Sequence, residues 1–154
     1  YNGLAGMDFE RGHKMFDSGG CYALNSFGNQ GGMNGPDLTG SGGRYSPHDL
    51  LEQIMYPSKE INEQFVPTFV TLKSGETLSG VVVNLNGDRV TLNTDLYNPN
   101  QRTSVQRKEV KSMGPSPVSP MPPGLLNMMK KEEIMDLLAY ILSGGDEQHR
   151  FFAN

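Results

Sequence analysis

Between Gln64 and Val110 the apolar residues change period, and no other feature of the chain constrains its fold as strongly. Four stretches, 65–72, 77–84, 89–94 and 103–110, are rich in Val, Thr, Leu and Phe. They are separated by Lys73-Ser74-Gly75-Glu76, Asn86-Gly87 and Asn98-Pro99-Asn100. β-Branched and aromatic runs broken by such turn residues predict about four antiparallel strands, a small meander or barrel. On either side the spacing is helical. Phe9, Gly12, Met15 and Phe16 precede the stop pair Gly19-Gly20, which predicts a short helix over 8–17. Ser46-Pro47-His48-Asp49 supplies a capping hydroxyl, a proline at the first helical position and a carboxylate three residues after the cap, so a helix runs over 47–55 and stops before Pro57. Residues 124–129 read as a helical turn. Residues 131–143 read as a longer helix, with Ile134, Leu137, Leu138 and Ile141 inward and Gly144-Gly145 as its stop.

Composition decides what fills the gaps between these elements. The chain has 154 residues with 19 Gly and 10 Pro, about a fifth of the total and above the usual share of about 12%. Much of that Gly lies in 21–43, which predicts a long wrapping loop. A net charge of -4 leaves no basic surplus for a phosphate backbone, which argues against nucleic acid as a partner. No stretch approaches the roughly 20 apolar residues of a membrane helix, so no membrane insertion is expected. Cys21 is the one cysteine, so no intramolecular disulfide and no Cys-x-x-Cys site can form. The chain starts at Tyr1 without an initiator Met or a leader, as expected of a processed product or a piece of something longer.

The helical halves, taken together, resemble class I cytochrome c: a first helix with Gly12 and Phe16, a cysteine soon after, Gly35-Pro36-Asp37-Leu38, a Met in a Pro-rich loop and a last helix with Leu137 and Tyr140. In detail the chain is similar to a haem-binding, cytochrome c-like domain family. The resemblance rests on Phe9-Glu10-Arg11-Gly12, Gly35-Pro36-Asp37-Leu38-Thr39-Gly40, Pro57-Ser58-Lys59, Ser119-Pro120-Met121-Pro122 and Ser143-Gly144-Gly145-Asp146. It implies a class I cytochrome c-like helical domain, 1–63 and 113–154, with a small antiparallel β module inserted at 64–112, an α+β chain overall. It also implies a periplasmic or secreted setting, with a redox partner or a fused dehydrogenase-like protein. Gly12 then lets the last helix cross the first at close range, with Phe16 packed beside Leu137 and Tyr140.

At the haem site the chain departs from that family, whose loop carries Cys-x-x-Cys-His with a Met ligand opposite. Here the stretch reads Cys21-Tyr22-Ala23-Leu24-Asn25. Leu24 cannot form a thioether, and the Asn25 carboxamide is a poor iron ligand beside imidazole, so covalent haem of the usual kind is not expected. Two soft donors keep their places, Cys21 and Met121, with Met33 as a possible third, and such donors suit copper. The competing explanation is that methionines fill irregular gaps and that Tyr22, Leu24, Phe27 and Met33 plug the vacated pocket.

Nothing else in the sequence forms a catalytic constellation, and no enzyme activity is expected. His13, His48 and His149 read as solvated surface residues, although His13 is near enough in sequence to Cys21 for an unusual loop to join them. Three readings of function remain open at this stage. The first is a haem-free interaction or redox-associated module. The second is an electron-transfer protein with copper on Cys21 and Met121. The third is a residual haem carrier with Cys21 as anchor and Met121 as axial ligand.

Overall fold

A computed structural model describes residues 2–32, 35–61, 63–95, 98 and 100–153, with Asn2, Leu24 and Glu63 by their backbone alone. It divides into two compact units, 1–60 with 122–154 and 61–121. The borders expected at 63/64 and 112/113 thus lie at 60/61 and 121/122.

In the first unit, α1 (Phe9–Ser18) starts where the Asp8 carboxylate accepts the Arg11 N–H at 2.9 Å. It ends at Gly19, followed by Gly20 at φ 76°. The segment expected to be an irregular loop holds α2 (Cys21–Leu24), a hairpin of β1 (Ser26–Phe27) and β2 (Gln30–Gly31) turning at Gly28, and α3 (Ser41–Arg44). Next comes α4 (Pro47–Met55), with Ser46 Oγ accepting the Asp49 N–H at 3.1 Å.

Within the second unit, β3 (Thr68–Leu72), β4 (Thr77–Asn84), β5 (Arg89–Asn93) and β6 (Arg102–Gln106) form an antiparallel meander. A 3₁₀ turn at Arg107–Glu109 then carries the chain on into β7 (Val110–Pro115), which pairs antiparallel with β3, so the order is β6-β5-β4-β3-β7. The fourth strand expected at 103–110 is therefore two structures, β6 and the 3₁₀ turn, and a fifth strand follows. Val70, Leu72, Val90 and Leu92 are buried on one face of the sheet, with Leu78, Val82, Val105 and Val110 packed against them.

Back in the first unit, α5 (Lys131–Leu142) is started by the Glu133 carboxylate, which accepts the Lys130 N–H at 2.7 Å. It is stopped by Gly144 and Gly145 at φ 71° and 77°. The crossing of α1 and α5 is very close. A Cβ on Gly12 would collide with the Asp136 carbonyl and stand 2.9 Å from Tyr140 Cβ. Phe16, 1% exposed, sits beside that crossing with its ring 5.4 Å from that of Tyr140.

These observations overturn the expected fold class. The chain is not a class I cytochrome c-like helical domain carrying a small insertion. It is a mixed chain, 31% helix and 23% strand, with five helices and a five-stranded antiparallel sheet among the described residues. The physical reason is the second core: Val70, Leu72, Val90 and Leu92 give the sheet an apolar interior of its own, and β7 completes it. Two of the five helices are single turns of four residues.

Candidate functional site

Cys21 opens α2 directly after Gly20 and is buried. Burial pushes its thiol up to about 11; a hydrogen bond from its own backbone opposes this and the charge of Asp17 adds to it. Such a thiol is protonated at neutral pH and is a poor nucleophile. A Cβ on the neighbouring Gly19 would stand 3.7 Å from Cys21 Sγ and 3.5 Å from Met129 Cε, so two sulfur side chains border this glycine.

Asn25 ends α2 and turns back on it. Its Nδ2 donates to the Cys21 carbonyl at 3.1 Å, and its backbone N–H donates to the same oxygen at 3.0 Å. Behind it Gly31 adopts φ 99°, and a Cβ there would collide with the Asn25 carbonyl. The hairpin thereby delivers Phe27 to the aromatic core, 5.1 Å from Phe16 and 5.3 Å from Tyr140, stacked on the latter at 27°. Met121 is the last residue of the sheet unit, its N–H donating to Ser119 Oγ at 3.1 Å, and Met33 lies outside the described residues.

The haem implied by the resemblance can be tested against these side chains. Asn25, at the place of the iron-ligating His in the resembled family, spends its amide nitrogen on the Cys21 carbonyl. Among the described residues no three of His, Cys, Asp and Glu stand together as a metal cluster. Asn25 thus does not fit the proximal-ligand position of a haem.

The histidines are divided among three tasks. His13 stacks on Tyr140 at 5.1 Å and 10°, with Nε2 3.5 Å from Asp17. His48 is exposed in the first turn of α4. His149 accepts the Phe151 N–H on Nδ1 at 3.3 Å and packs its ring 4.2 Å from that of Phe151.

Two concave surfaces of the first unit were not foreseen. One is an apolar groove of about 490 Å³, with Leu4, Leu51, Met135 and Leu138 lining it and His48 at its edge. The stripe of α4 contains its signal, since Leu51 follows the buried Leu50 and cannot share its direction on a helix. The other is a polar cleft of about 460 Å³ at the C-terminal end of α5, between the Gly40–Gly43 region and the turn at His149 to Phe151. No sequence signal pointed to it, because its walls come from two segments remote in sequence.

The chain matches no family model and no curated protein. No helix among the described residues is long and apolar enough to cross a membrane.

Proposed function

We propose that the chain is a protein-interaction module and not a catalyst, and that it docks its partner in the groove of Leu4, Leu51, Met135 and Leu138. The observation that carries this reading is the groove itself: an apolar concavity in which the half-buried Leu51 and Met135 lie beside the buried Leu4 and Leu138. In the same unit Asp136 ties down the start of α1 and Cys21 stays protonated. Met55 and Tyr56 extend the apolar surface at the end of α4, both more than 40% exposed. The same unit carries twelve acidic and seven basic side chains, which steers basic partners toward it.

The test uses the full chain in its source cells, with a photo-crosslinking residue in place of Leu51. We expect one cross-linked protein whose yield falls at least fivefold when Met135→Glu is added, with the urea midpoint unchanged, and whose purified form rebinds the chain. A cross-link indifferent to Met135→Glu overturns the docking face. An absorption spectrum and elemental analysis of the purified chain complete the test, and iron or copper near one per chain overturns the interaction reading in favour of electron transfer.

A further inference from the structure

The cleft at the end of α5 shares no residue with the groove, and its chemistry is different. Although the unit holds nearly twice as many acidic as basic side chains, none of the described residues lining this cleft is a carboxylate. The titratable groups that do line it are Tyr45, His149 and Arg150. His149 receives the Phe151 N–H on Nδ1, so its neutral ring carries the proton on Nε2 as a donor. Arg150 forms no ion pair with a described carboxylate, and its guanidinium lies 5.7 Å from the centre of the Phe151 ring.

A helix C-terminus ordinarily repels anions through its free carbonyls, and here those carbonyls are covered. Gly144 N–H takes the Ile141 oxygen at 3.1 Å and Gly145 N–H the Tyr140 oxygen at 3.2 Å. Gly42 presses so closely on the Leu142 carbonyl that a Cβ would collide with it. The cleft is therefore lined by Arg150, His149, Tyr45 and the largely buried Phe151.

From this we infer that the cleft binds a small organic anion, with its carboxylate or phosphate oxygens on Arg150 and His149 and its body against Phe151 and Tyr45. The occupant is of one or two ring sizes, as the volume allows.

Amide spectra of the full chain, titrated separately with inorganic phosphate and with benzoate at constant ionic strength, test the inference. We expect saturable shifts confined to Gly40, Gly42, Gly43, Ser143, Gly144 and the His149 ring. A response to phosphate assigns a phosphate ester as the natural ligand class, and a response to benzoate assigns a carboxylate. Arg150→Gln weakens the response about tenfold, as loss of a charge-assisted pair does. Gly43→Asp, whose Cβ meets nothing within 4 Å, weakens it similarly by placing a carboxylate in the wall, and Lys14→Gln leaves it unchanged. Shifts scattered over surface cations, shifts indifferent to Arg150→Gln, or no response to either anion overturn the site.

Discussion

The Asp136 carboxylate, 1% exposed, is held between the Arg11 guanidinium and the Asp8 N–H, which it accepts at 2.8 Å. It lies on α5 and reaches across to the first turn of α1, one turn from where Gly12 lets the two helices touch. One side chain thus supplies an acceptor for an otherwise free helix-start donor and a counter-ion for Arg11, whose guanidinium it holds above its ordinary value. We expect Asp136→Ala to lower stability by about 2 kcal/mol, the loss of charge-assisted hydrogen bonds at a buried site. Asp136→Asn keeps an acceptor for the Asp8 N–H and loses less. Urea unfolding of the two variants beside the parent chain measures both, and equal losses would remove the charge from the account.

Gly12→Ala is the sharper test of the same helix pair. The added methyl meets the Asp136 carbonyl, which is main chain and cannot rotate aside, so α1 must move away from α5. Overpacking of this kind costs about 1–3 kcal/mol, against a gain of about 1 kcal/mol in helix propensity at an open site. We expect a net loss, with the Phe16 and Tyr140 ring signals shifted in the proton spectrum. A more stable variant would show that the two helices are not pressed together at this residue.

How much of this could be read beforehand depended on whether the determining contact was local. The helices α1, α4 and α5 were legible because their caps sit within a few residues of their stripes, as Ser46 does to Asp49 and Gly144 to Ile141. β7 was not, because Lys111, Ser112, Gly114 and Pro115 break the alternation that marks a strand, and its pairing with β3 is a long-range contact. Once that strand and the four-residue Val70, Leu72, Val90 and Leu92 core are counted, motif likeness in the helical segments no longer describes the whole chain.

The candidate sites show the same division. Nothing in the spacing around Asp136 marks its role, which depends on Arg11, 125 residues earlier, being placed beside it. His149 reads as a residue of a free tail until the Phe151 N–H fixes its ring. Cys21 was singled out by the missing motif around it, and spacing alone could not say that Asn25 would bond to its carbonyl.

Cys21 makes alkaline stability a direct readout of its burial. In the unfolded chain the thiol ionises near 9, and in the folded chain near 11. Because the folded value is the higher one, the contribution is fully present below about pH 9 and is lost as pH rises toward about 11. The unfolded state releases its proton first over that window, which draws the equilibrium toward it by roughly 2–3 kcal/mol. Tyr140, also raised by burial, adds loss of the same sign. We expect Cys21→Ala to flatten the fall between pH 9 and pH 11 without abolishing it, in urea melts taken at half-unit steps. Parallel curves for the parent and the variant would mean that the thiol is solvated. The same burial makes reaction with a disulfide reagent at pH 8 slow in the native chain and fast in urea.

Leu92 carries the last expectation, because it tests whether the sheet stands on its own interior. It is 0% exposed on β5, opposite Val82 on β4 and Thr103 on β6, and within the cluster of Val70, Leu72 and Val90. Truncation to Ala removes three carbons from a site walled by strands on both sides, which can collapse only by shifting the ladder, so a loss of about 3 kcal/mol is expected. The accompanying change is local: amide exchange should accelerate from Thr68 to Pro115, where the strands share this core, before it does in α1 and α5, which are tied to each other at Gly12 and Asp136. Acceleration in both units by the same factor would mean that they unfold as one, and the sheet would then be a dependent part of the helical unit's stability.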